Sequence, residues 1–199
     1  MTGYDVVVIG ASWGGMRALG RVLSGLPGDF PIPIAVAQHR DADAEDDLLP
    51  MLLARHTVLE IADADDKDPL VPGRVLLAPP GYHILIEGAT EPGARGSVAL
   101  SVDAPVQFAR PSIDGLFESA AAEYGTRSVG VVLTGANADG ACGLQEIKRR
   151  GGYAIVEDPS TAERSEMPEA ALAADPDVVV DVGNLAPVLC AICSVGGAA

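Results

Sequence analysis

Gly10-Ala11-Ser12-Trp13-Gly14-Gly15 stands between a short β-branched run, Asp5–Ile9, and a segment with helical spacing. A serine at such a strand-to-helix turn has several uses. A dinucleotide fingerprint would need Gly in place of Ser12 and an acid at the end of the second strand, where Gln38-His39 stands instead. A phosphate loop would need G-K-[ST], which is absent. Two readings stay open. Ser12 caps the following helix, or it is a nucleophile raised above the sheet edge, with backbone N–H groups at the helix start to hold an oxyanion.

A serine hydroxyl attacks only with a base beside it. The chain has three histidines, His39, His56 and His83. His39 ends the second strand; joined to the first by a right-handed crossover, that strand lies beside it and points the same way, so Ser12 and His39 share the carboxyl edge of the sheet. His56 falls at the opposite edge and reads as a surface residue. His83 opens a later strand and reads as structural. The base needs an orienting acid. Asp139, in Thr134-Gly135-Ala136-Asn137-Ala138-Asp139-Gly140, follows a strand and lies on a carboxyl-edge loop. Asp158, after another strand, is the second candidate. Asp114 lies in the first turn of a helix and favours its dipole. The expected constellation is Ser12, His39 and Asp139.

These groups must be held by strands and helices that alternate along the chain. Strands are expected at 5–9, 33–37, 58–61, 128–133, 153–156 and 177–181, from short apolar β-branched runs between turn signals. Helices are expected at 16–25, 45–55 with a kink at Pro50, 112–124 capped by Ser112, 141–150, 167–174 and 185–193. Between them, 74–78, 83–87 and 97–102 are separated by Pro/Gly turns and read as an antiparallel hairpin or meander added to the main sheet. The fold class is α/β, a doubly wound, mostly parallel sheet with an antiparallel hairpin insertion. Neither a repeat nor a dividing linker is visible, so 1–195 reads as one domain.

The 199 residues suffice for one core, and 48% are hydrophobic against only 4% aromatic. The formal net charge of −15 argues against a general affinity for nucleic acid or anionic membrane. Arg40 and Arg110 are the expected local attraction near the cleft. The acidic runs 41–47 and 63–68 read as solvated loops. Cys190 and Cys193 form a C-x-x-C without further ligands, so no metal or cofactor is expected. With no signal peptide and no long apolar run, the chain reads as cytoplasmic and not membrane-inserted.

The segments VVVIGASWGG, AQH, PLVPGRVLLAPPGYH, RPSIDGLFESAA, VVLTGANADGACGL and EDPSTAERSEMPEAAL together resemble the catalytic domain of the chemotaxis protein-glutamate methylesterases (CheB), over about residues 4–190. The resemblance implies catalytic Ser12, His39 and Asp139, and hydrolysis of γ-methyl glutamyl esters on the cytoplasmic helices of chemoreceptors, in many members with deamidation of glutamines. It implies an acyl-enzyme mechanism without a cofactor, with backbone groups near Trp13, Ala136 and Asn137 as oxyanion or cleft candidates. The family usually has Thr where Trp13 stands, a Met and a Gly where Ala136 and Asn137 stand, Met-Pro where Arg40-Asp41 follow His39, and Gly where Glu166 precedes Met167-Pro168. An Asn can still supply a left-handed residue at 137. Family members typically carry an N-terminal phosphoacceptor domain; with Ser12 so near the start, none is expected ahead of it here. The alternatives to receptor methylesterase are a hydrolase of another ester or amide, and a non-catalytic signalling module on the same fold.

Overall fold

In a computed structural model, residues 3–41, 48–89 and 95–193 of the chain are described. The first strand, β1 (Val6–Ala11), is buried along its whole length. Val6 and Val8 enter the core on one side of the sheet, while Val7, Ile9 and Ala11 enter the core on the other. A strand covered on both faces has no need of polar alternation, which is why it reads as a continuous apolar run. It leads into α1 (Gly15–Ser24), then β2 (Ile34–Gln38), α2 (Leu48–Ala54), β3 (Glu60–Asp63) and β4 (Arg74–Leu77). A hairpin follows, β5 (His83–Glu87) and β6 (Ser97–Ser101). Alternation resumes with α3 (Ile113–Tyr124), β7 (Ser128–Val132), α4 (Ala141–Arg149), β8 (Tyr153–Glu157), α5 (Glu166–Ala171), β9 (Val178–Val180) and α6 (Leu185–Cys193).

Seven of these strands form one parallel sheet in the order β3-β4-β2-β1-β7-β8-β9. Helices α1, α2 and α6 are the elements of one face; α3, α4 and α5 cover the other. The chain builds outward from β1 in one direction through β2, then returns to build outward in the other through β7. The reversal puts a crevice at the carboxyl ends of β2, β1 and β7, the place where such sheets bind ligands.

The fold class is as expected, with two differences in detail. Residues 74–78 do not belong to an antiparallel meander: β4 pairs in parallel with both β2 and β3. Its Val75, Leu76 and Leu77 are buried on both faces, as an interior parallel strand requires, and the flanking Pro/Gly turns masked that. The hairpin β5–β6 is a separate two-stranded sheet, which packs Ile84, Ile86 and Val98 into the core shared with α3. The run 63–68 is not merely solvated. Asp63 pairs with Arg40, Asp68 with Arg74, and Asp66 accepts from Leu100 N–H. Most of the 41–47 run and the start of the helix expected at 45–55 lie outside the described residues; Pro50 falls in the first turn of α2, where its ring needs no kink.

Helices α3 and α4 approach closely because Gly143 has no side chain. A Cβ there would lie 2.6 Å from Phe117 Cβ and 2.9 Å from the Asp114 carbonyl oxygen. Gly143→Ala gains at most about 1 kcal/mol of helix propensity, while overpacking costs about 1–3 kcal/mol. A net loss of stability is expected in urea denaturation; a midpoint at or above that of wild type would contradict this packing.

Candidate active site

The register of the central strands brings three loops to one place. Ala11 pairs with Gln38 and Gly10 with Val132. The ladder then runs one step past the strand ends: His39 N–H donates to Ala11 O at 3.0 Å, and Ser12 N–H to Thr134 O at 2.9 Å. Ser12, His39 and the loop that carries Asp139 are thereby neighbours. His39 Nδ1 lies 3.1 Å from Ser12 Oγ, and His39 Nε2 lies 2.9 Å from Asp139 Oδ2. An ionised carboxylate only accepts, so Nε2 carries the hydrogen and Nδ1 turns its lone pair to the serine hydroxyl. The imidazole is thus turned over relative to the chymotrypsin arrangement, in which Nε2 faces the serine. Asp139 is fully buried, and the His39 side chain is 14% exposed, so the base reaches the cleft while its acid does not.

Asp139 is held by the N-terminus of α3. Its Oδ2 accepts from Ile113 N–H at 2.8 Å, and its Oδ1 from Asp114 N–H at 2.9 Å and Ser112 Oγ at 3.3 Å. Ser112 Oγ in turn accepts from Gly115 N–H, and Ser112 N–H donates to His83 Nδ1 at 3.0 Å. The four N–H groups that open α3 are all satisfied, two of them by Asp139. Asp114 returns the arrangement: its Oδ1 accepts from Gly140 and Gly143 N–H at the start of α4. The two carboxyls diverge in acidity. Burial pushes Asp139 up, but the His39 hydrogen bond and the Ile113 and Asp114 N–H groups outweigh it and hold the carboxyl below its ordinary value. Burial raises Asp114, against the Gly143 and Gly140 N–H groups and with the Asp139 charge adding to the rise.

Ser12 does not cap α1. The N-cap is Gly14, in the left-handed region at φ 79°, with no side-chain cap. Gly15 N–H donates to Ser12 O, and a Cβ at Gly15 would collide with Gln38 Oε1 at 2.0 Å. Gln38 Nε2 donates to both Ser12 O and His39 O, at 2.8 and 2.9 Å, and so ties the two loops together. Thr134 Oγ1 lies within hydrogen-bond reach of Trp13 O and Arg164 O, and Thr134 N–H donates to buried Glu157. Burial raises the Glu157 carboxyl, the Thr134 N–H lowers it, and Asp181 raises it further, leaving it above its ordinary value.

The other sequence candidates are placed as follows. The Trp13 ring is exposed with the Arg164 guanidinium 5.7 Å from its centroid, and it lines neither cavity beside His39. It therefore does not narrow those cavities. Ala136 is exposed at the loop tip. Asn137 does not take the left-handed conformation; its Oδ1 instead accepts from Asp139 N–H at 3.2 Å, and the loop's positive φ falls on Gly140. Gly135 N–H is committed to Arg164 O. Asp158 binds Ser160 N–H and Oγ, away from His39. Arg40 lines both cavities beside His39, with its charge paired to Asp63 and a bond donated to Ala78 O. Arg110 lines the cavity over His39 and Asn137, as expected, and donates to Val102 O and Asp103 O, backbone carbonyls that do not cancel its charge. Asp114, expected to favour the dipole of its own helix, instead accepts from the start of α4, and the roles of Gln38 and of His83 at α3 are not legible in the sequence. They bind backbone groups, and side chains that do so follow no local pattern; only the position of Gln38 beside His39 is a signal.

A polar cleft of about 600 Å³ opens over His39 and Asn137, walled by Arg40, Asp41, Pro105 and residues 107–110. Residues 7–189 match the CheB methylesterase family. The chain belongs to the CheB methylesterase family. A protein of Leptospira interrogans serovar copenhageni, provisionally named for both protein-glutamate methylesterase and protein-glutamine glutaminase, is 41% identical over 184 residues, 92% of each chain. An Anaeromyxobacter dehalogenans protein-glutamate methylesterase/protein-glutamine glutaminase is 47% identical over 84% of this chain, which spans only 47% of that relative's length. The crystal structure of the Thermotoga maritima CheB methylesterase catalytic domain superposes with a TM-score of 0.85 at 29% identity, covering 94% of this chain and 97% of that one. The enzyme class expected from sequence, a carboxylic ester hydrolase, is the class these CheB relatives are named for. Among the described residues no helix is long and apolar enough to cross a membrane, and no cluster of ligands suits a metal ion. Burial, and Cys190 secondarily, push the Cys193 thiol up to about 12, the opposite of a reactive thiol.

The Asp139 carboxyl is depressed by folding, so its ionised form contributes stability that is present above the ordinary value of about 3.9 and lost as pH falls through the folded value. The stability gap between wild type and Asp139→Asn is therefore expected to be widest near neutrality and to close below about pH 4. A gap that widens on acidification, in denaturant titrations at stepped pH, would contradict this electrostatic account.

Proposed function

We propose that the chain, as a single catalytic unit over 1–195, hydrolyses γ-methyl esters of glutamyl residues on the cytoplasmic helices of chemoreceptors, through an acyl-enzyme on Ser12. The observation that carries this reading is the unbroken contact from Ser12 Oγ to His39 Nδ1 and from His39 Nε2 to Asp139, at 3.1 and 2.9 Å. Ser12 Oγ attacks the side-chain carbonyl carbon while His39 Nδ1 takes its proton. The imidazolium is held by Asp139, whose remaining lone pairs are occupied by the start of α3. The oxyanion is taken by backbone N–H groups of Trp13 and of the Ala136–Asn137 segment, since Gly15 and Gly135 N–H are already spent. His39 returns the proton to methoxide, and methanol leaves. Water then attacks the acyl-enzyme with His39 as base, releasing the glutamate carboxylate and Ser12.

The same steps with an amide would release ammonia, and the relatives' double names support glutamine deamidation as a second activity of the same site. Neither activity routes a step through a cofactor.

Methanol release from a methylated receptor fragment tests the reading. Ser12→Ala is expected to lower kcat by about 10⁶-fold. Asp139→Asn is expected to cost about 10⁴-fold, because the neutral amide favours the wrong imidazole tautomer. Release by Ser12→Ala at the wild-type rate, or none by wild type, would sink the proposal. Ammonia release from a glutamine-bearing fragment, lost in the same two variants, decides the second activity.

A further inference from the structure

Beside His39 a cavity of about 210 Å³ is walled by Met16, Leu48, Leu49 and Leu52, with Gln38 and Arg40 at its edge. A second cavity of about 500 Å³ lies between α1 and α2 and shares Met16 and Leu52 with the first. The two form one groove that starts at the base and runs along the outside of the molecule. Its wall on α1 is the stripe Met16, Arg17, Gly20, Arg21, Ser24, one face at helical spacing. Gly20 lowers the floor, with His56 across from it; a Cβ at Gly20 would be 3.7 Å from the ring. The stripe from Met16 to Ser24 extends about 12 Å, room for two turns of a second helix.

The groove combines two features. Its mouth leaves large apolar side chains uncovered: Met16, Leu48 and nearby Met51 are 50%, 42% and 51% exposed. Its far end is basic. Arg17, Arg21 and Arg55 border it with His56, no acidic residue among the described residues lines either cavity, and the whole chain has 13 Lys and Arg against a net charge of −15. Arg17 has a partner in Glu163 at 3.6 Å, but its side chain is 82% exposed, so that pair is easily exchanged. Apolar walls that end in cations suit an amphipathic helix with carboxylates on its flanks.

We propose that this groove between α1 and α2 docks the substrate helix, taking its apolar residues at i, i+3 and i+4 between the two helices and its free carboxylates on Arg17, Arg21 and Arg55. The inference rests on the methylesterase reading for the identity of the helix. Docking there lays an amphipathic acidic segment alongside His39, and Arg17, Arg21 and Arg55 give an acidic enzyme a local attraction for it.

The test is binding, which does not depend on turnover. The probe is a fluorescein-labelled helical peptide with Leu at i, i+3, i+4 and i+7 and Glu on the flanking positions, compared by anisotropy with a scrambled peptide of the same composition. The patterned peptide is expected to bind wild type at least about tenfold more tightly than the scrambled one. Arg21→Glu/Arg55→Glu and Met16→Glu are each expected to weaken it by about tenfold or more. Arg149→Glu/Arg150→Glu, with the same charge change on remote α4, is expected to bind as wild type, and thermal unfolding checks that every variant is folded. Equal binding of both peptides, or unchanged binding by folded Arg21→Glu/Arg55→Glu, would overturn the groove. Equal weakening by the α4 pair would overturn it too, in favour of net charge alone. Pattern-dependent binding by a wild type that releases no methanol from methylated receptor would support the groove while removing the methylesterase reading.

Discussion

Two buried carboxylates hold this site together by exchanging helix ends. Asp139, on the loop into α4, receives the first N–H groups of α3; Asp114, in α3, receives the first N–H groups of α4. Each helix start supplies both hydrogen-bond donors and the positive end of a dipole to the other's acid. The exchange locks α3, α4 and the 134–140 loop into one body. It also decides the direction in which Asp139 can still accept, which is toward His39.

The same exchange accounts for the different acidity of two similar side chains. Asp139 gains His39 as well as its two N–H donors, and the sum overcomes burial. Asp114 faces burial and the Asp139 charge together, and its N–H donors do not offset them. One acid is thereby kept ionised to orient an imidazole, while its neighbour serves the backbone. His83 completes the arrangement from the hairpin by accepting Ser112 N–H, so the β5–β6 insertion braces the site from outside the main sheet.

The rest of the geometry follows from strand order. Because β1 lies between β2 and β7, the residues that leave those three strands are adjacent without any long loop having to reach. Small residues then let the backbone close in. Gly14 turns the chain into α1, Gly15 leaves room for the Gln38 amide, and Gly135 avoids Met167 and Ser12, whose atoms a Cβ would meet at 2.5 and 2.9 Å. Ser12 is left with its hydroxyl against His39 because the capping position has passed to Gly14.

The alternating elements, the doubly wound class and the placement of Ser12, His39 and Asp139 on carboxyl-edge loops were legible in the sequence. Buried parallel strands are short and apolar, and right-handed crossovers leave few topologies. Strand β4 was misread because one isolated strand says nothing of its neighbours' direction, and the pairing of Asp63 with Arg40 could not be read from a charge run. On its own the sequence determined which residue types were available at the sheet edge and the order in which they arrive. Only the tertiary structure decided which imidazole nitrogen faces Ser12, that Asp114 and Gln38 clamp backbone rather than stand free, and that α1 and α2 leave a groove between them. Those outcomes depend on how far apart distant segments come to rest, and packing settles such distances only after all the elements are in place.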